Sequence, residues 1–380
     1  MPQSSHSKEI ESMDSARTTA GEHMRIIWAV AAKDILDAIK NRTVITIVLG
    51  MAMMMLSAQA FPFLLKLSAT PRAYVHDAGT PPDGTSPLIS AMAEDGYYRI
   101  TEVDSQQAMQ AALADLNAEI LGMVIPSGFE QMLESGAQGE LEGYVVWSRR
   151  SAANKLAAEM ELYLETLLHK PVRVETEGNL VYPPPEGATS QGMIATVLSL
   201  ILVTTGGFLV PYLIFEEKQT HTMDALLVSP ANASDITIGK ALAGIVYCLV
   251  AMAVVLAFNY SNVVSWGTVT LAVLVGAFFA VGVGLLMGSG FETAQQVGAW
   301  SIIPIVLLMA PIMLTMLGNL PQVLESLLPW MPTIALAKLF LLSFSGSATL
   351  AKALPDLALV LAWTLPLYAA VIWIVRRSDR

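Results

Sequence analysis

The chain has 380 residues, of which 54% are hydrophobic and only 14% charged, with a formal net charge of −11. Soluble globular domains carry about a quarter charged residues, so these proportions point away from an ordinary water-soluble domain. The acidic excess argues against a nucleic-acid partner. A single cysteine, Cys248, inside an apolar stretch excludes a disulfide framework and a thiolate metal site.

Residues 1–23 are rich in Ser, Thr and charge and predict a disordered cytoplasmic tail. They lack the apolar core and small-residue cleavage site of a signal peptide, so the first apolar segment is expected to remain as an anchor. Residues 24–42 have helical periodicity. Ile27, Ala31, Ile35 and Ile39 line one face, with Trp28, Ala32 and Leu36 beside them, while Lys33, Asp37 and Lys40 fall opposite. This pattern suits an amphipathic helix at the membrane surface with Trp28 at headgroup level, or a packed lead-in to the first span.

A membrane-spanning helix needs roughly 20 apolar residues at about 1.5 Å rise each. Six segments qualify: 44–65, 191–214, 240–259, 267–288, 297–317 and 356–375. The run from Ala241 to Phe291 holds no charged residue and contains two of them, hinged at Asn259-Tyr260-Ser261-Asn262. Lys40 and Arg42 precede the first span, and Arg376, Arg377 and Arg380 follow the last, so the positive-inside rule places both ends in the cytoplasm. An even number of crossings is then required, and six satisfies it. The expected fold class is an α-helical polytopic membrane protein.

Residues 67–189 would then lie outside. Between Lys66 and Gln191 there are 18 acidic and 8 basic residues, so this one segment carries nearly the whole negative excess. Extended chain is expected at Arg72–His76, Tyr97–Val103, Glu119–Ile125, Glu140–Trp147 and Val172–Glu175. Helices are expected at Ser105–Leu116, near Phe129 and at Ser151–His169. Strands alternating with helices predict a small α/β domain. Tyr182-Pro183-Pro184-Pro185 forms a stiff exit toward the second span.

Beyond Phe215 the pattern predicts a cytoplasmic loop over 216–239, in which Thr222–Val228 forms a short helix. Met223, Leu226 and Leu227 are its apolar knobs, Thr222 can cap it, and Ser229-Pro230 stops it. Such a helix either docks in a partner's groove or lies back on its own bundle. The turn bearing Glu292 falls on the same side. Residues 318–355 lie between the last two spans, with apolar pieces too short to cross, expected as outer re-entrant or amphipathic helices.

The run Glu216-Glu217-Lys218-Gln219-Thr220-His221-Thr222-Met223-Asp224-Ala225-Leu226-Leu227-Val228-Ser229-Pro230, followed by Ile238-Gly239-Lys240, resembles the Glu-Lys-x-x-Gly-Thr-x-x-x-Leu-Leu-x-(Ser/Thr)-Pro…Gly-Lys signature of ABC-2 type transporter permeases. Where that family usually has Gly-Thr, this chain has His221-Thr222. One span, a large outer domain and five further spans is the order of its sodium-efflux-type branch. The lead-in helix is similar to the family's interfacial elbow, and the turn with Glu292, Ala294 and Gln295 to its second cytoplasmic contact. The resemblance implies a pair of permeases, identical or sister copies, in the cell or inner membrane, driven by two ABC ATPase subunits. It also implies export, and contacts to the ATPase through Met223, Leu226 and Leu227, with Thr222 capping and Glu216, Glu217 and Lys218 at the membrane boundary.

No cofactor is expected on this chain. Its Gly239-Lys240 lacks the preceding glycine of a phosphate-binding loop, because Ser234 stands there, so ATP belongs to the partner subunit. An intramembrane protease reading of Glu216-Glu217 fails because no histidine follows His221, leaving no metal to activate water. The five histidines show no ligand spacing. Gln59, Thr204, Thr205 and Pro304 are the polar or bent positions that a transport path could use, or they are packing notches and kinks. Gly282, Gly284 and Gly288 offer a small-residue face for close helix contact. The spans hold no carboxylate at membrane depth, which argues against a small cation as cargo. The rival reading is a membrane receptor or scaffold whose outer domain binds a ligand or an envelope protein.

Overall fold

The computed structural model describes residues 20–40, 45–46, 49–50, 53, 72–79, 86–115, 120–185, 190–219, 233–290, 306–311, 314 and 321–378. Within these, an α/β unit is followed by a helical bundle. The expected spans at 44–65 and 297–317 lie almost wholly outside the described residues.

Helix α1 runs from Ala20 to Lys40. It therefore begins inside the stretch expected to be tail, because its first turn is held by tertiary contacts and carries Glu22 at the positive end of the helix dipole.

The α/β unit follows the order β1 (Arg72–Asp77), α2 (Pro87–Asp95), β2 (Arg99–Glu102), α3 (Gln106–Asp115), β3 (Leu121–Ile125), α4 (Phe129–Glu134), β4 (Gly139–Val146), α5 (Ala153–Leu168), β5 (Val172–Glu175) and β6 (Leu180–Val181). The sheet order is β2-β1-β3-β4-β5, with β6 also pairing β4. All pairings are parallel except β3 with β4. Every residue of β3 is buried because helices cover both faces of this central strand. Leu88, Met92, Phe129, Met160 and Leu164 of α2, α4 and α5 pack on one face. Met109 and Leu113 of α3 pack on the other, where Gly122 leaves room for them. Helix α2 and the short strand β6 are elements that hydropathy periodicity alone did not mark.

The bundle consists of α6 (Ser190–Gln219), α7 (Ala233–Phe258), α8 (Trp266–Gly290), α9 (Gln322–Leu327), α10 (Pro332–Phe344) and α11 (Leu350–Ser378). Helices α6, α7, α8 and α11 are long and apolar enough to cross a membrane, and the pair from Gln322 to Phe344, bent by 73°, is a broken span or a re-entrant loop. The chain is a polytopic membrane protein. Helix α10 buries eleven of its thirteen residues, which suits the re-entrant alternative expected for this stretch better than the amphipathic one. Helix α11 starts at Leu350, before Pro355 rather than after it, so Pro355 and Pro366 both lie inside the helix and each removes one donor from its ladder.

Close backbone approach sets the bundle's centre. A Cβ added at Gly206 of α6 would fall 2.6 Å from the Ala280 backbone of α8, and one at Gly282 would fall 2.9 Å from the Tyr368 ring of α11. The small-residue face of α8 is thus fully used, letting dispersion replace a hydrophobic drive that is weak between helices in lipid.

The α/β unit touches the bundle through Arg150. Its Nη1 donates to the Ser261 carbonyl at 2.8 Å, in the turn joining α7 and α8, and to the Trp147 carbonyl at 2.9 Å. The guanidinium lies 4.2 Å from the Trp147 ring centre. Trp147 stacks on Tyr182, and the Tyr182 ring occupies the space that a side chain at Gly346 would need. The hinge at 259–262 is therefore a docking point as well as a turn.

Candidate functional site

The ends of α6 and α8, the start of α7 and the helix α1 converge at one end of the bundle. Helix α6 continues to Gln219 and α7 begins at Ala233, so the connecting stretch is 220–232, shorter than the expected 216–239. Glu216, Glu217 and Lys218 are good helix formers that extend the span's own hydrogen-bond ladder, and Asp235 favours an early start for α7 through the dipole. Glu216, Glu217 and Lys218 accordingly occupy the last turn of α6 rather than a loop. Thr222, Met223, Leu226, Leu227 and Glu292 lie outside the described residues, as do Gln59 and Pro304.

Helix α1 packs on α6 and α7. Ile35 sits against Leu209, Leu213, Ala243 and Tyr247. A Cβ at Gly239 would come 2.8 Å from the Val30 side chain, so only glycine admits α1 this closely. The next residue, Lys240, places Nζ 3.5 Å from Asp34 Oδ2, with side-chain exposures of 3% and 6%. A charge buried this deeply needs a partner, since desolvation without one costs several kcal/mol, roughly. Tyr247 donates its hydroxyl to the Asp34 carbonyl. Five residues earlier on α7, Asp235 Oδ2 lies 2.7 Å from His23 Nδ1 of α1. The Gly-Lys pair closing the sequence signature thus has a physical role: glycine permits approach and lysine locks it.

The inner face of α1 contains Ile27, Ala31 and Ile35 as the periodicity predicts, and also Val30 and Asp34. Trp28 and Leu36 are exposed, an apolar outer strip that suits contact with lipid. Asp34, His23 and Asp235 are the residues that sequence reasoning passed over, and Lys240 enters it only as the end of the signature run. The available signal was Asp34 itself, a carboxylate on the apolar face between Ala31 and Ile35, and Lys240, a lone cation heading a charge-free run.

Thr204 and Thr205 lie in α6, where their hydroxyls donate to main-chain carbonyls of their own helix: Thr204 to Leu200 at 2.8 Å and Thr205 to Ile201 at 2.6 Å. Those hydroxyls have local partners, so the packing reading suits these two positions better than a polar path. Among the described residues no three His, Cys, Asp or Glu side chains group as metal ligands. The arrangement fastens helix α1 to α7 by charge and close contact.

A family model described as ABC-2 family transporter protein matches residues 42–374. No curated protein matches the chain.

Proposed function

The chain belongs to the ABC-2 family of transporter proteins, and from that premise we propose that it is the membrane permease of an ATP-driven exporter, worked by a separate ABC ATPase. Membership makes it a membrane transport component and not itself the ATPase. The observation that carries the coupling is the docking of Gly239 and Lys240 on α1. Force delivered to the 220–232 stretch reaches α7 at its first turns, and through the Lys240–Asp34 pair it reaches α1 as well. ATP-driven closure of the partner can shift the bundle only if the two states differ in contact free energy. Met223, Leu226 and Leu227 supply those contacts in this reading, with Thr222 as cap and Glu292 on the second contact turn.

The working assembly is a pair of permeases with two ATPase subunits in the cell membrane, both chain ends cytoplasmic and residues 67–189 outside. Leu226→Asp tests the coupling. Association with the ATPase should vanish while membrane insertion and size-exclusion profile stay unchanged, measured by co-purification from membranes. Retained association would remove the 220–232 stretch as the docking site.

A further inference from the structure

Three tyrosines of the α/β unit meet on its surface. Tyr97 and Tyr98 follow the left-handed Gly96 that ends α2, and Tyr163 comes from the second half of α5. The Tyr97 ring stacks on the Tyr163 ring with centres 5.4 Å apart, and the Tyr98 ring meets them edge-on at 5.1 and 5.0 Å. Rings at this spacing touch, so the cluster encloses no hollow and presents a face instead. Tyr97 is 58% exposed, and no cation lies over its ring among the described residues.

Carboxylates flank the cluster. The Tyr163 hydroxyl donates to Asp95 Oδ2 at 3.1 Å. Burial raises the Tyr98 phenol above its ordinary value, and Tyr97 and then Glu159 raise it further. Tyr163 is raised in the same way, by burial first and then by Asp95. The carboxylate share of both shifts marks a negative potential, which favours a cation. Lys155 reaches Glu159 at 3.6 Å as an exposed i,i+4 pair, a contact that contributes little. Asp95 meets no cation among the described residues.

An aromatic face attracts a cation through its ring quadrupole. The unit already shows this geometry once, with Arg150 lying 4.2 Å from the Trp147 ring centre. A guanidinium suits the site better than an ammonium, because it is planar, weakly hydrated and forked to match a carboxylate. The unit's overall charge points the same way, with 18 acidic against 8 basic residues between Lys66 and Gln191. Small-molecule sites are concave, whereas this face would cover a small ligand on one side only. A protein chain brings its own surface to cover the other side, and Tyr and Arg are enriched at such contacts. The face also stands clear of the seam with the bundle. Tyr163 lies about 15 Å along α5 from the turn that carries Arg150.

We propose that Tyr97, Tyr98 and Tyr163, with Asp95, form the docking surface for an arginine-bearing segment of a protein partner, its guanidinium stacked on the open side of Tyr97 and paired with Asp95. With residues 67–189 outside, as in the permease reading, that partner is extracytoplasmic; the surface itself rests on geometry and charge alone.

The test uses the purified full-length chain in phosphatidylcholine nanodiscs, with dye-labelled nona-arginine and nona-lysine followed by fluorescence anisotropy. Saturable binding is expected, with the arginine peptide about fivefold tighter. Tyr97→Leu keeps the bulk and removes the ring face; it should weaken the arginine peptide about fivefold and the lysine peptide less. Tyr97→Phe should bind as the parent does. Asp95→Asn should weaken the arginine peptide about fivefold, whereas Asp104→Asn, the same charge lost beyond the far end of β2, should change it less than twofold. Both substituted sites are exposed, so the size-exclusion profile should not move. Equal affinity for the two peptides, or an arginine affinity that Tyr97→Leu leaves unchanged, overturns the surface, because bulk charge alone would then explain binding. Displacement of nona-arginine by millimolar tetramethylammonium would make the occupant a small quaternary ammonium. A disulfide between copies through Tyr97→Cys would make it a second copy of this chain. Either result overturns a separate protein partner. Co-purification of an ATPase should be the same for every one of these variants, so the permease reading and this surface fail independently.

Discussion

The α/β unit and the helical bundle solve the same problem, burying apolar surface without stranding polar groups, in two solvents. In the α/β unit water takes the charges, and the core forms from alternation along strands and stripes along helices. In the bundle there is little apolar-to-polar contrast to exploit. Specificity there comes from glycines that let backbones meet, at Gly206 against Ala280, and from a rare buried ion pair, Lys240 with Asp34. A soluble core tolerates many hydrophobic swaps; a membrane bundle held by a few contacts should not.

The sharpest break of that contrast is Lys240→Ala, which breaks the buried ion pair with Asp34. It should destabilise the bundle by about 3–5 kcal/mol, read as a drop in thermal unfolding midpoint in detergent. The double change Asp34→Asn with Lys240→Met should recover most of it, because neither charge of the pair is then buried. If the single change is silent, the pair is not a lock.

Gly206→Ala comes next, at about 1–3 kcal/mol, since the obstacle is Ala280 main chain and cannot swing aside. Ala108→Gly, on the exposed surface of α3 in the other region, should cost only about 1 kcal/mol through helix propensity. Equal losses from the two would erase the distinction between close-approach and solvated helices.

Arg150→Ala probes the seam between the regions. Losing its bonds to Ser261 and Trp147 should cost about 1 kcal/mol and speed amide exchange over 259–265. Unaltered exchange there would mean the α/β unit sits on the bundle without that contact.

The smallest effect is confined to the α/β unit. Burial, then the Glu142 carboxylate that accepts its hydrogen bond, pushes the Tyr144 phenol up to about 12 from an ordinary 10. A folded state that holds this proton more tightly is stabilised below pH 10 and loses that stabilisation as pH rises from 10 to 12. Tyr144→Phe should flatten the alkaline limb of the unfolding curve; an unchanged limb would show that other groups set it.

Legibility followed the same division. In the α/β unit, β1, β3, β4 and β5 were readable because alternation or a bounded apolar run is a local signal. Helix α2 was not readable, since Pro87–Asp95 buries only Leu88, Ile89 and Met92, too few to make a stripe. In the bundle, the long spans were evident from missing charge, yet their ends were misjudged. Glu216–Gln219 is polar and Ser234–Gly239 carries Ser234, Asp235 and Thr237, yet both are helical, because a backbone ladder does not stop where hydrophobicity does. At the candidate site, the Gly239-Lys240 pair stood out as a pattern, while its partner on α1 did not, being some 200 residues away in sequence.

Composition and spacing by themselves determined that this chain lives in a membrane and that it carries one acidic α/β unit, and a resemblance in one run of residues pointed to its family. These are local or additive properties, and each residue reports them without its neighbours in space. Tertiary structure alone decided that Lys240 meets Asp34, that Arg150 reaches the α7–α8 turn, and that Tyr163 joins Tyr97 and Tyr98. Each of those depends on two segments arriving at one place, and hydrogen bonds and ion pairs act over only a few ångströms.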